Sequence, residues 1–101
     1  MNVNIKQIIE YPKKGIMSKE IIDNEKVNST LFCMAERTNI SDHTSTKQGF
    51  VYVTEGEGIF NLKGKEIKME SGVFIYLEKG VVHSIKAVKN TSFLLSLFKN
   101  K

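Results

Sequence analysis

Short apolar runs separated by glycine-bearing turns at nearly even spacing constrain this chain more than any other feature. Residues 50–53 read Phe-Val-Tyr-Val and end at Glu55-Gly56-Glu57-Gly58, a reversal that needs residues tolerating positive φ. Residues 59–62 return as a strand, Lys63-Gly64-Lys65 turns, residues 66–69 alternate, and Ser71-Gly72 turns again. Residues 73–77 form a wholly apolar run closed by Glu78-Lys79-Gly80, and residues 81–88 and 92–98 supply two more strands. Before them, residues 27–36 read as a strand apolar on both faces near its middle, and 38–46 as a polar, turn-rich stretch. Residues 3–10 and 15–22 alternate weakly around a turn at Pro12 and Gly15, and Lys99-Asn100-Lys101 reads as a frayed tail. Strands this short and this evenly punctuated predict an all-β sandwich or barrel.

A chain of 101 residues builds one core and one domain, residues 1–101. Its 41% hydrophobic content excludes a disordered polymer, and no run reaches the roughly 18 apolar residues of a membrane-spanning helix. The net charge of +4 invites a nucleic-acid reading, but Arg37 is the only arginine and the lysines are scattered without interleaved aromatics. No nucleic-acid or membrane partner is expected. Residues 1–6 lack an apolar leader and the lone Cys33 suits a reducing compartment, so a cytoplasmic location is the expectation.

Two stretches carry a family resemblance. The first runs His43-Thr44-Ser45-Thr46-Lys47-Gln48-Gly49 and on through Phe50 to Gly56; the second runs from Gly72 through Glu78 and Gly80 to His83. Both resemble the two motifs of the cupin superfamily. His43 stands at the first ligand position and Gly56 at the closing glycine. Ser45 stands where the second His would be, and Gly49, beside Gln48, where the Glu would be. The second stretch departs only at Glu78, which replaces a proline. The resemblance covers about residues 30–98 and implies an all-β cupin fold, a double-stranded β-helix or jelly-roll barrel, with residues 29–98 as the barrel core. Residues 1–28 would then be N-terminal strands that could take part in a dimer.

The resemblance implies a pocket near His43 and His83, with Ser45 and Gln48 as further pocket residues. Many cupins hold a metal with three His and one Glu, and the chain's only two histidines fall on ligand positions. One divalent ion (Zn, Fe, Ni or Mn) held by His43 and His83 is therefore one expectation. Against it, Ser45 is a poor ligand and Gly49 has no side chain; Cys33 could complete the set if it points inward. The other expectation is a metal-free pocket, with the histidines hydrogen-bonded to backbone or to each other, Ser45 as a neighbour, and Gly49 widening the interior for a small molecule.

Glu55 and Glu57 flank turn glycines and read as solvent-facing rather than as an acid–base pair. The doubly apolar strands exceed what one small core absorbs, which predicts a homodimer. Two functions stay open: a small-molecule-binding cupin of unassigned activity, or a metal-dependent oxygenase or isomerase.

Overall fold

The computed structural model describes Met1–Lys99; the last two residues of the expected tail, Asn100 and Lys101, lie outside the described residues. Nine strands build two antiparallel sheets. They are β1 (Ile16–Asp23), β2 (Val27–Met34), β3 (Asn39–Thr44), β4 (Gly49–Glu55), β5 (Gly58–Leu62), β6 (Lys65–Met69), β7 (Phe74–Leu77), β8 (Val82–Ala87) and β9 (Thr91–Phe98). One sheet has the order β1-β2-β9-β4-β7, the other β3-β8-β5-β6.

Period-two alternation sorts each strand into an inner and an outer face. On β4, Gly49, Val51 and Val53 are buried while Tyr52 is exposed; on β7, Ile75 and Leu77 are buried while Phe74 and Tyr76 face outward. The run 73–77 is thus apolar on both faces, but only one of them is core. Between the sheets pack Met34, Val51, Val53, Phe60, Met69 and Ile85 with their neighbours. Phe60 is paired to Ile67 on one side and Ile85 on the other, and it is fully buried.

Two expectations are corrected here. Residues 38–46 are not all turn: β3 occupies Asn39–Thr44, an edge strand with only Ile40 half-buried. Its polar sequence suits an edge, and pairing to β8 holds it. Residues 3–10 are not a strand: Ile5–Ile8 form a short helix, α1, whose cap Asn4 accepts a hydrogen bond from Lys6 N at 3.0 Å. Ile5 and Ile8, three apart, share one side of this single turn, and the chain leaves it at Ile9 with an extended backbone.

From α1 the chain forms a strap over the outer face of the five-stranded sheet. Lys19 Nζ donates to Ile8 O at 2.8 Å and pairs with Glu10 at 2.9 Å. The Tyr11 hydroxyl donates to Glu55 Oε2 at 2.7 Å and meets Ser92 Oγ at 3.1 Å; burial, with Glu55 beside it, pushes this phenol above its ordinary range. Leu31 and Cys33, which face outward on β2, are completely buried there. The chain's own N-terminal segment therefore covers the second apolar face of β2. Lys99, expected in a frayed tail, pairs with Asp23 at 2.6 Å.

Candidate functional site

Strands β3 and β8 place His43 and His83 directly opposite each other in register, and a bulge between Ile40 and His43 sets the facing of the His43 side chain. The imidazole centres lie 4.1 Å apart with the planes 63° from parallel, an edge-to-face contact. His83 is 5% exposed; His43 is open to solvent. His43 Nδ1 lies 3.2 Å from Ser41 O, and His83 Nδ1 lies 3.2 Å from Val81 O. A carbonyl only accepts, so both Nδ1 atoms carry the proton and both Nε2 atoms keep a lone pair in the neutral rings. Burial lowers the His83 pKa below its ordinary value and the adjacent His43 lowers it further, against a raising effect from Val81 O.

Phe60 lies parallel to the His83 ring, centres 5.5 Å apart and planes 6° from parallel. Beyond the imidazoles a cavity of about 120 Å³ opens between the sheets, walled by Phe32, Phe93, Leu95, Phe60 and Ile85. Phe32 and Phe93 stack with centres 5.4 Å apart. A wider recess of about 310 Å³, lined by Thr44, Ser45, Thr46, Lys47 and Leu97, forms its mouth beside the histidines. A larger depression, about 640 Å³, lies on the outer side of the four-stranded sheet and includes Asn61 and Glu66. It is open to solvent, and Asn61 Oδ1 is already bonded to Gly64 N at 2.9 Å. Enclosure and convergent polar atoms favour the smaller cavity as the site.

The expected site residues separate. His43 and His83 come together. Ser45 reaches the mouth, but its hydroxyl donates to Lys47 O at 2.9 Å and accepts from Lys47 N at 3.1 Å, a local turn rather than a bond to histidine. Gln48 is not in the pocket: Gly49 points inward, so the pleat turns Gln48 outward, where its Oε1 accepts from the Tyr76 hydroxyl at 2.7 Å. Cys33 cannot join the histidines either, because Phe32 faces the cavity and its neighbour faces the strap. Nor does Gly49 widen the interior. A Cβ there would meet Ser96 O at 2.0 Å and Leu97 Cδ2 at 2.9 Å, so the space is filled by β9.

Glu55 is held by Tyr11 and Glu57 pairs with Lys89 at 3.8 Å, away from the cavity. The sequence reading missed the aromatic wall. Its signal was available in Ile59-Phe60-Asn61-Leu62, whose alternation puts Phe60 on the same face as Leu62, the residue paired with His83.

A two-sheet jelly roll with a histidine-lined cavity between its layers defines the structural class. The family model of the cupin domain matches residues 30–97, and the chain belongs to the cupin family. An uncharacterised protein of Aquifex aeolicus is 25% identical over 97 residues, covering 94% of this chain and 80% of that one. Among solved structures, a cupin superfamily protein of Desulfitobacterium hafniense superposes with a TM-score of 0.89 at 14% identity, over 99% of this chain and 92% of that chain. Salicylate 1,2-dioxygenase of Pseudoaminobacter salicylatoxidans superposes with a TM-score of 0.77 at 14% identity, over 82% of this chain and 26% of that chain. These structural likenesses establish the fold and carry no activity across. No helix among the described residues is long and apolar enough to cross a membrane.

Proposed function

We propose that this cupin is a small-molecule-binding module. The observation that carries the reading is the largely apolar cavity between the sheets beside two imidazoles whose Nε2 atoms are free of protein partners in the hydrogen bonds described. Apolar walls supply affinity through burial, and a few fixed polar atoms supply orientation.

A second reading, a metal-dependent oxygenase or isomerase, draws on the imidazole spacing. Two rings bound at right angles to one ion, each with its centre about 3 Å from the metal, would stand about 4.2 Å apart. The observed 4.1 Å is near that value. The rest of the donor set does not fit a resident divalent ion. Ser45 is engaged with Lys47 and Gly49 offers nothing, and no group of three or more His, Cys, Asp or Glu converges among the described residues. Metal analysis of tag-free protein is therefore expected to return far less than one equivalent of Zn, Fe, Ni or Mn. A stoichiometric metal that His83→Ala abolishes would overturn the binding-module reading in favour of the enzyme.

The partner we propose is a second copy of this chain, seated on the outer face of β9, β4 and β7. Phe74 is 60% exposed and Tyr76 52%, with Phe50 stacked on Phe74 at 5.0 Å and Phe98 close by at 6.2 Å. Away from the strap, where Tyr11 holds Glu55, the outward positions of this face (Gln48, Phe50, Tyr52, Phe74, Tyr76, Leu94, Ser96 and Phe98) carry no charge, although 26% of the chain is charged. A neutral aromatic patch is complementary to itself across a two-fold axis, where two chains of +4 would otherwise repel. Sedimentation is expected to show a dimer that Phe74→Glu converts to an 11.5 kDa species with unchanged circular dichroism. A wild-type chain that stays at 11.5 kDa at every concentration would eliminate the dimer.

A further inference from the structure

The cavity beside the imidazoles has a size, a lining and a polarity that together define a narrow ligand class. Its volume of about 120 Å³ is close to that of an apolar cavity of about 150 Å³ known to accept one benzene ring. The cavity itself holds one ring, and a second fused ring would have to stand out in the recess at its mouth. Three of its walls are aromatic: Phe32 and Phe93, stacked on each other, and Phe60, parallel to His83. Flat walls of this kind favour a flat guest, which can meet them by offset stacking or edge-to-face contact.

Polarity narrows the class further. Among the described residues lining the cavity, the two imidazoles are the only polar side chains, and none of the lining side chains is acidic or a permanent cation. Both Nδ1 atoms are committed as donors to Ser41 O and Val81 O, so what the rings have left to offer is a pair of Nε2 acceptors. Burial works against protonating His83, and so does the imidazole of His43 touching it. An acceptor pair of this kind is matched by an O–H or N–H donor. It is mismatched with a carboxylate, which brings lone pairs to lone pairs and loses its hydration with no donor to replace it.

We propose that the pocket binds a monocyclic aromatic molecule bearing a neutral hydrogen-bond donor, a phenol in its simplest form, with the hydroxyl turned to the imidazoles. The inference rests on the small-molecule reading above and names its ligand class. A polar substituent elsewhere on the ring would emerge in the recess beside Thr46 and Lys47.

Amide chemical shifts of the ¹⁵N-labelled protein, titrated in turn with phenol, toluene, benzoate and cyclohexanol, test this. Phenol is expected to shift amides of β3, β5 and β8 saturably, binding about tenfold more tightly than toluene or benzoate, the factor one buried hydrogen bond confers. In His83→Leu the preference for phenol over toluene is expected to disappear while toluene still binds. Toluene or benzoate binding as tightly as phenol, cyclohexanol outcompeting it, or phenol shifts confined to the Phe74–Tyr76 face would each overturn the ligand class and leave a binding pocket standing. If none of the four probes moves those amides, the class and the small-molecule reading fall together.

Discussion

Gly49→Ala is expected to lower the thermal unfolding midpoint of this protein by about 12–24 °C, from a loss of about 3 kcal/mol in a domain of this size. The added methyl carbon would lie 2.0 Å from the Ser96 carbonyl oxygen and 2.9 Å from Leu97 Cδ2. The oxygen cannot swing aside as a side-chain end could. It belongs to β9, which sits at the centre of the five-stranded sheet, paired to β2 on one edge and β4 on the other. Relief requires moving one strand against both neighbours, at the cost of ladder hydrogen bonds. Gly64→Ala is the comparison: nothing lies within 4 Å of its Cβ, and only its φ of 84° is strained, worth about 1–2 kcal/mol. Thermal denaturation of both variants decides the matter. If Gly49→Ala unfolds no earlier than Gly64→Ala, β9 yields more easily than its pairing implies. The result also bears on the tempting repair of the cupin motif, Gly49→Glu. That change is expected to break the β4–β9 contact before it can supply a carboxylate.

This position shows where a linear motif stops being informative. The resemblance to the two cupin motifs aligned His43 and His83, and it could do so because a β-ladder converts a fixed count of residues and turns into a fixed register that the turn glycines mark. The same motifs said nothing about why Gly49 is a glycine. That reason lies in Ser96 and Leu97, some forty-seven residues on, and only the β4–β9 pairing brings them into contact. Gln48 was misplaced for a simpler reason: adjacency in sequence is opposition across a pleat. Cys33 and the doubly apolar β2 pointed to a missing cover, and the cover turned out to include the chain's own strap around Tyr11. Its contacts to Ser92 and Lys19 have no local periodicity to announce them. The aromatic wall of the cavity went unread because apolar residues on strands were assigned to core as a class, while Phe60 and Phe93 serve both core and pocket.

Phe60→Ala is the change expected to cost the most in the cavity wall, about 3–5 kcal/mol, or about 12–40 °C in the unfolding midpoint. Phe60 is completely buried, so the full transfer loss applies. The cavity term is near its maximum as well. Ile67 and Ile85 flank Phe60 on paired strands and cannot close over the gap without shifting β6 and β8, and the gap would join the existing void of about 120 Å³. The second consequence is electrostatic. The ring lies flat against His83, and removing it lets water reach an imidazole whose pKa is held down chiefly by burial. The His83 pKa is therefore expected to rise toward its ordinary value in the variant, read from the imidazole proton shifts across a pH titration. Phe60→Leu keeps most of the volume and is expected to lose far less stability, because Leu refills the face against His83. A Phe60→Ala protein losing under about 1.5 kcal/mol would mean the strands had collapsed into the space, since large losses need a surviving cavity. In that event the His83 pKa should stay low, because collapse excludes water as well as the ring did. Stability and titration must therefore move together, and a large loss of one without the other would contradict the packing of Phe60 on His83 as the source of both.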